Sequence, residues 1–129
     1  MYDISQVQSE YKTKLIDADF AASLVKSNYR LHFGVGTGSS IYMDRALGKR
    51  LKTDTLLRGL EIQTEVAVRN DLLETFKATR DVDTVRFYSS HYTGMDRMMA
   101  DAGNCWYVPI LFNEEPLYWG QEGNGFDIC

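Results

Sequence analysis

Three glycines at alternate positions, Gly34, Gly36 and Gly38, stand in the stretch GVGTGSS, with Thr37, Ser39 and Ser40 beside them. Glycine has no Cβ, so such a turn brings backbone N–H groups close to a ligand, and a helix starting beside it adds the positive end of a dipole. An anion or a developing oxyanion suits that environment. The same spacing also serves a turn that merely packs a strand against a helix, and the residue types leave both readings open. A second constellation is SSHYTG, with Ser89, His91 and Gly94. An imidazole there can donate a hydrogen bond to substrate or move a proton near pH 7, and it can equally cap loop backbone groups.

Other chemistries fit less well. The dinucleotide pattern G-x-G-x-x-G needs glycine where Ser39 stands, and Gly48-Lys49 lacks the glycine five residues earlier that a phosphate-binding Walker loop requires. Ser90, His91 and Asp96 contain the residue types of a hydrolase triad. Neighbouring serine and histidine on one backbone are poorly placed as nucleophile and base, however, and the nucleophile elbow G-x-S-x-G is missing. Two histidines and two cysteines without zinc-ligand spacing predict no metal site. Glu65, Asp71, Glu74, Glu114 and Glu115 read as solvated carboxylates, so no catalytic nucleophile is expected in this chain. His32, next to Leu31 and Phe33, reads as structural.

The elements that must position these residues follow from periodicity. Asp17 caps a helix expected over about 17–26, with Phe20, Ala21, Leu24 and Val25 at helical spacing. YRLHFGVG alternates apolar and polar residues and then meets glycine, as a strand entering a tight turn does. Met43, Ala46, Leu47 and Leu51 carry a helix out of that turn. A second strand is expected near 60–68, then a helix capped by Asn70 with Leu72, Leu73 and Phe76 buried. A third strand ends near Ser89, and Met95, Met98, Met99 and Ala102 mark a helix closed by Gly103. CWYVPILF supplies a fourth strand that Pro109 weakens, and GFDIC begins like a fifth. Tyr107, Tyr118 and Trp119 read as packing residues. This alternation predicts an α/β fold with an open, mainly parallel sheet and flanking helices, and such sheets bind ligands along the edge formed by the strand C-termini. Both glycine-bearing segments fall on that edge.

Bulk properties set the limits. The 129 residues suit a single domain, 1–129, with 44% hydrophobic and 25% charged residues. A net charge of -4 advertises no affinity for nucleic acid or an anionic membrane. Cys105 and Cys129 need no disulfide framework, and the polar N-terminus and lack of a long apolar run predict a cytoplasmic protein with no membrane span.

Four segments in order, YKTKLIDADFAASLVKS, GVGTGSSIYMDRALGKR, SSHYTGMDRMM and YVPILFNEEPLYW, resemble the N-terminal part of the acetyl-CoA hydrolase/transferase family, in its butyryl-CoA:acetate and 4-hydroxybutyrate CoA-transferase group. The resemblance implies an open α/β CoA-transferase fold of the NagB/RpiA-like kind. It also implies an enzyme of butyrate and acetate fermentation whose active site lies between two such domains. CoA passes from an acyl-CoA to a short-chain carboxylate such as acetate through a glutamyl-CoA thioester, on a glutamate of a C-terminal domain that is missing here. By that resemblance the piece alone is inactive, coenzyme A is substrate rather than permanent cofactor, and the partners are acyl-CoA, carboxylate and the C-terminal domain, with a homodimer of the complete protein compatible. Gly34, Gly36, Thr37, Gly38, Ser39, Ser89, His91 and Gly94 become substrate-binding positions; Tyr107, Pro109, Glu114, Pro116 and Tyr118 shape the end of the domain. Ser40 and Ser90 stand where relatives carry proline and an aromatic residue, which touches the acyl pocket. The alternatives are a free-standing phosphate- or nucleotide-binding α/β module and a non-catalytic subunit.

Overall fold

The computed structural model describes residues 3–67 and 73–129. Ten elements follow in order: α1 (Ile4–Lys14), α2 (Ala18–Ser23), β1 (Arg30–Val35), α3 (Ile41–Thr53), β2 (Leu60–Glu65), α4 (Leu73–Ala78), β3 (Val85–Ser89), α5 (Gly94–Asp101), β4 (Cys105–Tyr107) and α6 (Glu115–Trp119). The four strands lie in the order β1-β2-β3-β4 and every neighbouring pair is parallel. Ile128 adds a parallel bridge to Leu31 on the far side of β1. The stretch read as a fifth strand is therefore one bridge long here.

Side-chain parity sorts the sheet into two faces. Leu31, Phe33, Leu60, Ile62, Val85, Phe87 and Cys105 meet Leu47, Leu51, Ala78 and Met99 of the helices in the apolar core. Each crossover steps one strand along in the same direction, and with right-handed connections that places the helices on this one face. Arg30, His32, Glu61, Gln63, Glu65 and Tyr88 point to the other face, which α6 and the last residues partly cover.

The helix boundaries have local causes. Asp17 accepts the Phe20 N–H at 2.7 Å, and Ser40 accepts that of Met43 at 3.2 Å. α2 is shorter than the periodicity predicts, ending at Ser23. Arg50 reaches from α3 to the carbonyls of Ala22 and Val25 at 2.6 and 2.7 Å and holds that end in place. Buried Asp44 of α3 caps α4, accepting from Glu74 N at 3.1 Å and Thr75 N at 2.9 Å. One turn later Gly48 meets the α4 backbone: a Cβ there would lie 2.6 Å from the Glu74 carbonyl carbon.

Some expectations change. β2 stops at Glu65 because Val66 takes a left-handed backbone, φ 48, and Asn70 and Leu72 lie outside the described residues. β4 ends at Tyr107, two residues before Pro109, as a missing ladder donor requires. The polar N-terminus forms α1, a helix with no buried residue, capped by Asp3. Among the described residues no helix is long and apolar enough to cross a membrane.

Candidate substrate site at the C-terminal edge of the sheet

β1 delivers the glycine turn to the edge where the strands end. Gly34 (φ 80) and Gly36 (φ 55) both occupy the left-handed region that side chains disfavour. The turn closes on itself: a Cβ on Gly34 would sit 3.3 Å from the carbonyl group of Gly38. Gly36 to Gly38 make one 3-10 turn, which Ser39 Oγ braces by donating to the Gly36 carbonyl at 3.3 Å. α3 begins two residues after Ser39, so its partial positive end lies beside the turn. Thr37 and Gly38 are exposed, and a Cβ on Gly38 would meet nothing within 4 Å. The loop therefore faces open space rather than the core.

β2 links this turn to the second constellation. The Val66 carbonyl lies 4.0 Å from the point a Cβ would take on Gly36, and Ser90 N donates to the Thr64 carbonyl at 3.4 Å. A branched residue such as Val66 held at positive φ stores about 1–3 kcal/mol of strain, sustained by the packing around it. Just past β3, His91 is exposed while Ser90 is buried, and Ser90 Oγ lies 3.2 Å from His91 Nδ1. The adjacent serine and histidine do touch, contrary to the expectation from their spacing. They form no triad, because Asp96 is committed elsewhere. It accepts from Thr64 Oγ1 at 2.9 Å, and from Thr93 N at 2.8 Å and Thr93 Oγ1 at 2.6 Å, in a capping box that starts α5. Gly94, at the head of α5, is exposed.

Of the eight predicted positions, Ser89 departs furthest from expectation. It shares the inward parity of Val85 and Phe87, is fully buried, and its hydroxyl has no hydrogen-bond partner. It backs the edge from below. The other seven lie at or near the surface, five around the turn that ends β1 and two in the segment after β3.

The reading of all five acidic positions as solvated is corrected at two of them. Glu65 is 2% exposed and Glu115 9%. Glu65 ends β2 on the outer face and Glu115 starts α6, which folds back over it. Glu65 Oε1 lies 3.3 Å from His32 Nε2, while Glu65 Oε2 and Glu115 Oε1 have no donor. Burial, first, and then the negative Glu65 push the Glu115 carboxyl above its ordinary range. The side-chain contact between Glu115 and Glu65 pushes in the same direction. The sequence carries a signal for this: Glu61, Gln63 and Glu65 alternate with Leu60, Ile62 and Thr64 in a strand with neighbours on both sides. Polar groups in such a strand lie under some covering element. Of the rest, Glu74 pairs with Lys52 at 3.2 Å and Lys77 at 3.1 Å, Glu114 is exposed, and Asp71 lies outside the described residues. Among the described residues no group of three metal-ligating side chains comes together.

Comparison with known proteins bears on the family and the fold. The sequence pattern of the family described as acetyl-CoA hydrolase/transferase N-terminal domain matches residues 1–125. The chain is 34% identical over 110 residues to a probable butyrate:acetyl-CoA coenzyme A-transferase of Syntrophomonas wolfei, covering 84% of this chain and 23% of that protein. It is 30% identical over 122 residues to the butyryl-CoA:acetate CoA-transferase of Anaerostipes caccae, covering 95% of this chain and 26% of that protein. The chain thus spans about a quarter of the length of the curated relatives it matches. The crystal structure of RipA from Yersinia pestis superposes with a TM-score of 0.71 at 20% identity, over 92% of this chain and 29% of that one, a likeness of fold.

Proposed function

Since the chain belongs to the acetyl-CoA hydrolase/transferase family through its N-terminal domain, we propose that it forms one wall of a CoA-transferase active site, with residues 1–129 as a single domain. The complete enzyme moves CoA from an acyl-CoA to a short-chain carboxylate such as acetate, through a glutamyl-CoA thioester on a glutamate of a second, C-terminal domain. The observation that supports this best is the exposure of Thr37, Gly38, His91 and Gly94 just past the C-terminal ends of two parallel strands, the edge where such folds bind ligands.

The chemistry asks for what this edge offers. Attack by a carboxylate on a thioester carbonyl puts negative charge on oxygen, and preorganised donors each contribute about 3–4 kcal/mol to that transition state. The glycine turn brings main-chain groups to the surface without side chains in the way. His91, oriented by Ser90 through Nδ1, keeps Nε2 available to donate to the thioester oxygen or to the incoming carboxylate. Gly34, Gly36 and Ser39 hold the turn in shape, and Ser89 supports the strand end beneath His91. The second domain then closes over this wall and excludes water, which would otherwise hydrolyse the anhydride.

The test uses a polypeptide carrying this domain with a C-terminal domain of the family, assayed for butyryl-CoA:acetate transfer. His91→Ala lowers kcat/KM by about 100-fold, the scale of one lost transition-state donor. An unchanged kcat/KM removes His91 from the site. Borohydride trapping of the acyl-CoA-treated enzyme yields the reduced glutamyl residue in the C-terminal domain. If the label appears in residues 1–129, the nucleophile belongs to this chain and the wall assignment is wrong.

A further inference from the structure

The loop that carries His91 is held from several sides. It runs from Ser90 to Thr93, between β3 and α5. At its start Ser90 N donates to the Thr64 carbonyl at 3.4 Å, and in its middle Tyr92 Oη donates to the Cys105 carbonyl of β4 at 3.0 Å. At its end Thr93 N and Thr93 Oγ1 donate to Asp96 Oδ2 at 2.8 and 2.6 Å. The other oxygen of that carboxyl group accepts from Thr64 Oγ1 at 2.9 Å, closer than the second acceptor within reach of this hydroxyl, the Tyr88 carbonyl at 3.3 Å. Thr64 thus ties both ends of the loop to β2, one through its carbonyl and the other through its hydroxyl. Of the four loop residues only His91 is exposed.

Packing alone does not call for that hydroxyl. Thr64 shares the inward parity of Leu60 and Ile62 and is 2% exposed, on the face that carries the apolar core, where valine has the same shape. A buried hydroxyl or carboxyl group costs free energy unless it is hydrogen-bonded, and replacing a bonded pair by apolar groups of the same shape is close to neutral. What the pair adds is direction. Asp96 is fully buried at the head of α5, and its two oxygens fix that head against the end of β2. Thr64 pairs with Ser89 at the end of β3, and the next residue, Glu65, pairs with Val35 at the entrance to the glycine turn. Two consecutive residues of β2 therefore hold register with both halves of the candidate site.

We propose that Thr64 is a positioning residue for the transferase site, setting His91 against the glycine turn through Ser90 at one end of the loop and Asp96 at the other. Being buried, Thr64 meets no substrate and acts through His91. The inference rests on the acyl-CoA reading for what His91 does, and adds the residue on which its placement depends. Without the hydroxyl, Asp96 is bonded to Thr93 alone, and the loop end shifts relative to β2. A misplacement of about 1 Å costs a reacting group up to about 100-fold in rate.

The test uses the same two-domain polypeptide. Thr64→Val keeps the shape and removes the hydroxyl, whereas Thr64→Ser keeps the hydroxyl. In Thr64→Val, kcat for butyryl-CoA:acetate transfer falls by about 10-fold or more while KM stays within about twofold, and Thr64→Ser restores kcat to within about threefold of wild type. Hydrogen exchange read by mass spectrometry shows the cause: peptides spanning 88–97 exchange faster in Thr64→Val, and those spanning β1 and α3 keep wild-type rates. An unchanged kcat in Thr64→Val, equal losses in the valine and serine variants, or exchange that rises throughout the domain overturns the proposal. His91→Ala, measured alongside, separates the two readings. A loss in His91→Ala without one in Thr64→Val leaves the transferase site standing and sinks the assignment of Thr64. A loss in Thr64→Val alone shows that it does not act through His91 and overturns the proposal as well, while no loss in either variant removes the His91 site itself.

Discussion

Substituting Gly48 with alanine sets two effects of opposite sign against each other. Gly48 lies inside α3, where alanine is favoured over glycine by about 1 kcal/mol through backbone entropy. Taken alone, that term makes Gly48→Ala stabilising. The new Cβ, however, would stand 2.6 Å from the Glu74 carbonyl carbon, 2.7 Å from its oxygen and 3.0 Å from its Cβ. These are not tips of flexible side chains. The Glu74 backbone is held by the bond that Asp44 accepts from Glu74 N at 3.1 Å, so α4 cannot step aside without losing its cap. Over-packing of this kind costs about 3 kcal/mol, which leaves a net loss of about 2 kcal/mol. Urea unfolding followed by circular dichroism measures it as a lower midpoint at unchanged slope. At roughly 4 °C per kcal/mol for a chain of this size, the thermal midpoint falls by about 8 °C. A variant that is more stable than the wild type by about 1 kcal/mol refutes the reasoning, because it shows that α3 and α4 do not approach at Gly48. The partner substitution Gly38→Ala meets no atom within 4 Å, and its stability stays within about 0.5 kcal/mol of wild type.

Other perturbations have equally definite outcomes. Asp44→Ala removes the acceptor for two α4 amides and destabilises by about 2 kcal/mol in the same unfolding assay, whereas a loss below about 0.5 kcal/mol contradicts the cap. Tyr92→Phe deletes the hydroxyl that donates to the Cys105 carbonyl at 3.0 Å and costs about 1 kcal/mol. Glu115 has a raised pKa in the folded state, so its contribution is present below the ordinary value of 4.5 and is lost as pH rises through the raised one. Glu115→Gln carries no such charge, and its stability gains on the wild type as pH is raised from 4 to 8; a pH-independent difference shows that Glu115 ionises normally.

Much of the framework is legible because it is written in local periods. Leu31 and Phe33 alternate with Arg30 and His32, Met43 to Leu51 keep a helical stripe, and Asp17 and Ser40 cap the helices they precede. What escapes are features that depend on distant residues. α1 has no buried residue and so no hydrophobic signal, and its register is set by the Asp3 cap alone. α6 is five residues long with Pro116 in its first turn, too short for periodicity to speak. Its return over β2 buries Glu65 and Glu115, fifty positions apart, and no window along the chain contains both. Ser89 illustrates the converse: its neighbours suggest a site residue, while strand parity turns it inward. The edge itself is legible, since parallel strands joined by helices put their C-terminal ends together. The turn at Gly34 and the loop at His91 meet there through β2.

The central claim is that this edge receives an acyl-CoA. Its most direct test is the amide NMR spectrum of the 129-residue protein titrated with butyryl-CoA and, separately, with ATP. The account predicts shifts at Gly34–Ser40 and Ser89–Gly94 with butyryl-CoA, reduced in His91→Ala and not reproduced by ATP. Equal shifts with both ligands, or shifts confined to the opposite edge around Asn28, Arg58 and Asp83, contradict it.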